Sequence, residues 1–212
     1  SRNPVSTGWK EVDQLLQGGL GRGELGVVVA PTGAGKSMAL VHLGSQAIKS
    51  GLSVVHYTLE LADTVVGSRY DACLTQSPLN SLHGLKDDIY DEITKLSGGL
   101  IIKEYPTKSA STNTLRNHLE RMRKREMPID MIIVDYGDLL RPVSAQKEKR
   151  NELESIYEEM RAIGQEYECP IWTASQTNRS GYNSDCISLD AISEAFNKCF
   201  VADFICTISR NA

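Results

Sequence analysis

The sequence predicts an α/β fold with a mostly parallel sheet and helices on both faces. Short β-rich runs alternate with stretches of helical period along the 212 residues. Several of those runs are continuously apolar, as strands covered on both faces must be. No linker, repeat or low-complexity tract divides the chain, so a single domain over residues 1–212 is expected, long enough to bury a core without disulfides or metal.

The elements follow in order. "LQGGLGRGE", Leu16 to Glu24, is a glycine-rich turn that leads into the first run, Leu25 to Ala30. The later runs are Ser53 to Leu59, Leu100 to Lys103, Met131 to Asp135, Ile171 to Ser175 and Phe204 to Ile208. Between them, Leu115, Leu119 and Met122 share one helical face, and Leu153, Ile156, Met160 and Ile163 share another. Both faces are expected to pack on the sheet.

Composition narrows the function. With 41% hydrophobic residues and mixed charge, the chain reads as an ordinary soluble globular protein. Its apolar runs fall far short of the roughly 20 residues that span a bilayer, and no secretory leader opens it, so no membrane partner and a cytoplasmic location are expected. It begins "SRNPVSTGW" without Met, which suggests a preceding N-terminal domain. The five cysteines, Cys73, Cys169, Cys186, Cys199 and Cys206, include no C-x-x-C pair, which indicates neither a zinc site nor a disulfide framework. A net charge of −4 argues against coating nucleic acid with the whole surface and leaves room only for a local basic channel.

The chemistry concentrates in "APTGAGKS", Ala30 to Ser37, which matches G-x-x-x-x-G-K-[ST] with Ala30 in the first glycine's place. It follows an apolar strand and precedes a helix, so backbone N–H groups of Thr32, Gly33, Ala34 and Gly35 can face a polyphosphate such as that of ATP. Lys36 would supply a point charge to the β and γ phosphates, and the Ser37 hydroxyl one ligand to Mg²⁺. The bland alternative is a glycine turn that binds nothing.

In "MIIVDYGDLL", Asp135 ends a buried run where a second magnesium-side group is expected, although an aspartate there is as often a turn former. Tyr136 follows it, where many nucleotide hydrolases have the glutamate that polarises water. Glu60, at the end of "VVHYTLEL", is the candidate for that task, provided its strand lies beside the phosphate-loop strand. Its alternative is a solvated rim carboxylate. Gln176, at the exit of another strand in "SQTNRSG", suits γ-phosphate sensing, and equally suits an ordinary polar loop.

In this order the pieces resemble the RecA-like motor domain of DnaB-family replicative helicases over nearly the whole chain. "STGWKEVDQLL" looks like the family's opening segment, "APTGAGKS" its Walker A, "YTLEL" its catalytic-glutamate motif, "IIVDYGDLL" its Walker B and "SQTNRSG" its sensor-and-loop motif. "YDACLTQSPLNSL", "LIIKEYPTKSASTNTL" and "ISEAFNKCFVADF" look most like the helicases of T4-like bacteriophages. The resemblance implies a RecA-like P-loop core and assigns Lys36 and Ser37 to phosphate and Mg²⁺, Asp135 to Mg²⁺, Glu60 to the catalytic base and Gln176 to the γ-phosphate. It also implies a homohexameric ring with ATP between subunits, 5′ to 3′ movement on single-stranded DNA, and work in a phage or bacterial replisome beside a primase and a helicase loader.

In such rings, loops that face the channel hold the strand. "VSAQKEKRNE" and "TNRSGYNSD" stand in the corresponding places, offering Lys147, Lys149, Arg150 and Arg179 to backbone phosphates and the Asn178 amide beside them. The denser basic run "RMRKRE", Arg121 to Glu126, lies on a helix with a core-facing apolar stripe and reads as a solvated outer face or a subunit contact. The family also contributes a Lys or Arg finger from a late strand, and "TISRNA" ends before a match, so slow hydrolysis is expected of this segment alone. A recombinase- or clock-type RecA-fold ATPase acting on duplex DNA or a protein partner, and a non-enzymatic nucleotide-binding module, are the competing readings.

Overall fold

In a computed structural model that describes residues 1–76, 98–177 and 189–209, the apolar runs form one six-stranded sheet. Its strands are β1 (Leu25–Pro31), β2 (Val54–Thr58), β3 (Leu100–Glu104), β4 (Met131–Asp135), β5 (Ile171–Thr177) and β6 (Phe204–Thr207). They lie in the order β3-β2-β4-β5-β1-β6, and every pairing is parallel. Parallel pairing requires a crossover after each strand, and the helices supply it.

Those helices are α2 (Lys36–Lys49), α3 (Asp63–Thr75), α4 (Thr112–Lys124), α5 (Lys149–Glu166) and α6 (Leu189–Lys198), while the short α1 (Lys10–Leu15) precedes β1. Side chains alternate across each strand, so the sheet feeds two cores. Val27, Val29, Tyr57, Ile132 and Val134 face Leu115 and Leu119 of α4, Ile156, Met160 and Ile163 of α5, and Ala195 of α6. Val28, Val54, Met131, Ile133 and Trp172 face Leu40, Val41 and Leu43 of α2 and Val66 and Tyr70 of α3. Helices therefore cover both faces, and every expected helical core position is buried except Leu153, which is half-buried. Arg121, Arg123, Lys124 and Arg125 stand on the exposed side of α4. No helix among the described residues is long and apolar enough to cross a membrane.

Two close approaches set the packing. A Cβ on Gly26 of β1 would come within 2.5 Å of the Trp172 ring, so the bare backbone makes room for the fully buried indole on the next strand. A Cβ on Gly44 of α2 would lie 2.2 Å from the Tyr70 hydroxyl, which itself meets His56 Nδ1 at 2.6 Å. Tyr70 is thus a core residue at the close packing of α2 and α3. Trp9 stacks on His42 at 4.8 Å, and Tyr182 lies outside the described residues.

A candidate nucleotide site at the carboxyl rim of the sheet

Because all strands run one way, their carboxyl ends share one rim, the place where open parallel sheets bind ligands. β1 ends at Pro31, and the chain turns through residues 32–35 into α2. Gly33 and Gly35 have φ of +78° and +95° with open space where a Cβ would stand, so glycine serves the left-handed backbone there and leaves the loop open to a ligand. The turn is closed by the Ala34 N–H donating to Pro31 O at 3.1 Å. Among the described residues no side chain caps the N-terminus of α2, whose first residues Lys36 and Ser37 are both buried. The loop therefore presents a helix N-terminus and a buried ammonium to an anion.

Glu60 meets this loop directly: Lys36 Nζ donates to Glu60 Oε2 at 3.0 Å, with the lysine side chain 10% exposed and the glutamate 43%. The sequence expectation that β2 lies beside β1 is wrong, since β4 and β5 stand between them. The contact forms nonetheless because α2 crosses those strands, packing on β4 and β5 as well as on β1 and β2. β2 and β4 are true neighbours. Thr58 is in register with Asp135, and the Leu59 N–H continues the ladder to Asp135 O at 2.9 Å, which brings Glu60 and Asp135 to adjacent strand exits.

Asp135 is almost fully buried, and its Oδ1 has no hydrogen-bond partner among the described residues. Burial pushes its carboxyl above the usual range; the Ser37 hydroxyl and the charges of Lys36 and Arg69 pull it back, while Glu60 repels it. A buried, incompletely partnered carboxylate beside a serine hydroxyl is a hard oxygen donor set, the kind that suits Mg²⁺. Gln176 completes the rim: its Nε2 donates to Thr32 Oγ1 at 2.7 Å, tying the exit of β5 to the phosphate loop.

The expected DNA-side residues divide. Lys147 lies in the segment before α5, and Lys149 and Arg150 form its first turn, so "VSAQKEKRNE" is only partly a loop. All three are exposed, and Arg150 pairs with Glu154 at 3.0 Å. Lys149 and Arg150 border a cavity of about 790 Å³ whose walls also include Tyr136, Gln176, Glu194 and Lys198. Asn178 and Arg179 lie outside the described residues.

Sequence reasoning missed three residues that border the site, Tyr136, Thr107 and Lys108. Tyr136, noted only as the residue where a glutamate was expected, lies under the Lys36 ammonium at 4.4 Å. Thr107 Oγ1 donates to Leu59 O at 2.7 Å, and Lys108 Nζ to Asp138 O and Leu140 O at 2.7 and 3.0 Å, so the segment after β3 clamps the backbone beside both Glu60 and Asp135. Asp138 accepts from Lys198 and Tyr157. The signals available were the runs "EYPTKSAS" and "IIVDYGDLL" carried by the resemblance, since the contacting partners lie far apart in sequence.

Parallel strands that converge on an uncapped helix N-terminus, with a buried lysine and two carboxylates around it, define a RecA-like P-loop nucleotide-binding domain. More particularly, the chain belongs to the DnaB-like helicase C-terminal domain family, which it matches over residues 4–185. It is 28% identical over 210 residues to the DnaB-like replicative helicase of Enterobacteria phage T4, an alignment that takes in 93% of this chain and 44% of that protein. The chain thus spans less than half the length of this relative. Among solved structures it resembles an ATPase domain, with a TM-score of 0.80 at 17% identity, covering 99% of this chain and 77% of that one. It also resembles a DnaB-like replicative helicase described with its interactions with primase, with a TM-score of 0.80 at 16% identity over 100% of this chain and 52% of that one. These likenesses go to replicative helicases and do not favour the recombinase- or clock-type reading.

Proposed function

We propose that the chain is the ATP-driven motor of a replicative DNA helicase, one RecA-like motor domain over residues 1–212 acting in a homohexameric ring that moves 5′ to 3′ on single-stranded DNA. The observation that carries this reading is the meeting of Lys36, Glu60 and Asp135 at one loop, in a chain of the DnaB-like family.

The work divides among the residues as follows. The N–H groups of residues 32–35 and the α2 N-terminus cradle the phosphates of ATP, and Lys36 neutralises the β and γ oxygens. An incoming triphosphate competes with Glu60 for Lys36 Nζ, so seating the substrate releases the glutamate to orient water and accept its proton. Ser37 and the Oδ1 of Asp135, unpartnered among the described residues, are the groups that would hold Mg²⁺, which when bound would supply positive charge against that developing on the phosphate oxygens. The Gln176 amide, already within reach of Thr32, senses the terminal phosphate without adding charge.

On the DNA side, Lys147, Lys149, Arg150 and Arg179 neutralise backbone phosphates and Asn178 adds an amide contact, which binds without reading sequence. A primase is a partner by analogy with the structural neighbour, and a helicase loader follows from the same role in a phage or bacterial replisome.

The test is ATP turnover and forked-duplex unwinding by the full-length protein, with and without single-stranded DNA. DNA-stimulated turnover together with an unwound fork is expected. Equal turnover in both conditions with the fork intact would overturn the motor assignment.

A further inference from the structure

The turn that follows Asp135 is tied to β5, α5 and α6 through one side chain, Asp138. Its Oδ2 accepts from Lys198 Nζ at 2.7 Å and from Ser175 Oγ at 3.4 Å, and its Oδ1 accepts from Tyr157 Oη at 2.7 Å. Both charged side chains are largely enclosed, at 15% exposure for Asp138 and 13% for Lys198. The backbone of the same turn is fixed independently: Gly137 N–H donates to Thr173 Oγ1 at 3.0 Å, and Lys108 Nζ donates to Asp138 O at 2.7 Å. The aspartate side chain is therefore not needed merely to close the turn.

Its partners sit at telling places. Ser175 precedes Gln176, the residue that touches Thr32 of the phosphate loop. Lys198 is the last residue of α6, the helix reached from β5 through the segment that carries Asn178 and Arg179. α6 also borders the cavity whose walls include Lys149 and Arg150. Asp138 thus joins the strand exit of Asp135, the strand exit of Gln176 and the far end of α6 in one enclosed ionic contact.

We propose that the Asp138–Lys198 pair is a positioning contact that couples the phosphate site to the DNA-side helix α6. A shift of Asp135 or Gln176 on seating or cleaving the triphosphate moves the Asp138 carboxylate, and Lys198, held to it at 2.7 Å, carries α6 with it. An enclosed ion pair suits this task because its strength falls steeply when either partner is displaced. The inference rests on the motor reading, since it concerns how DNA and nucleotide communicate.

The experiment compares D138N, K198M, the double variant and K198R in the full-length protein, measuring kcat and KM for ATP with and without saturating single-stranded DNA, alongside thermal unfolding. D138N and K198M are expected to hold the DNA-free kcat and KM within about twofold and to cut the DNA stimulation by about tenfold. The double variant is expected to be no worse than either single, since both break one contact, and K198R to recover most of the stimulation. Unchanged stimulation in both singles would overturn the coupling. So would a uniform fall in basal turnover, stimulation and melting temperature that K198R does not rescue, because the pair would then be purely structural. If the wild-type protein itself ignores DNA, the motor reading fails, and that outcome is distinct from a normal wild-type response with unaltered variants.

Discussion

In the proposed cycle the Lys36 ammonium, which holds Glu60 in this structure, passes to the incoming phosphate, and this has a measurable consequence. Glu60→Gln removes the carboxylate that competes with phosphate, so ATP binding by equilibrium titration should be as tight as in the wild type or tighter. Turnover should fall by about 100-fold or more, the usual worth of a positioned base; loss of binding in step with turnover would argue that Glu60 is only a structural partner of Lys36. Asp135 makes a second case. Its carboxyl is raised by burial, so ionising it costs the folded chain more than the unfolded one. The cost is absent below the ordinary carboxylate range and complete once pH exceeds the raised value. Asp135→Asn should therefore melt a few degrees higher than wild type at pH 7.5 in EDTA, with the gap closing toward pH 4, while losing ATP turnover. The roles proposed for Lys36, Ser37 and Asp135 could be framed from the sequence because each stands in a fixed local pattern. Asp138 was not, for its meaning lies in Lys198, 60 residues away, and a lone aspartate after a strand has several ordinary explanations.

At the level of elements, all six of these strands were readable to within two residues, β1 and β4 as continuously apolar buried runs and the others as short β-rich runs between stretches of helical period. Their order was not readable. One apolar run pairs with another without a code that names its neighbour, and β2 was accordingly assigned beside β1 when β4 and β5 separate them. The candidate site survives that error, since parallel direction alone sends every strand exit to the same side. What the order does decide is the path of α2, which must cross β5 and β4 and so needs close contact with α3 at Gly44. Gly44→Ala puts a methyl into the Tyr70 hydroxyl and should destabilise the chain by about 1–3 kcal/mol in urea unfolding. A neutral or stabilising result, as expected of Gly→Ala in an unobstructed helix, would show that α2 and α3 can separate freely.

For the whole molecule, acid stability is set in part by His56. Burial lowers its pKa from 6.5 to about 3, so the folded chain holds a neutral ring that the unfolded chain protonates. The resulting stability is complete above the unfolded value near 6.5 and is lost as pH falls toward 3, at no more than about 1.4 kcal/mol per pH unit. Urea titrations between pH 7 and 5 should show this decline, and His56→Gln should flatten it. His118, lowered mainly by partial burial, adds a smaller slope of the same sign. The seat that Gly26 leaves for Trp172 offers a way to follow such experiments without labels. The chain has two tryptophans, and this one is wholly enclosed at the centre of the sheet, its indole nitrogen without a hydrogen-bond partner among the described residues. Its emission should be blue and insensitive to soluble quenchers until the strands part, whereas Trp9, stacked on His42 near the surface, reports local changes around α1. Replacing Trp9 with Phe would leave a single tryptophan, excited selectively at wavelengths where tyrosine does not absorb, whose red shift marks global collapse of the sheet and separates it from events confined to the candidate nucleotide rim.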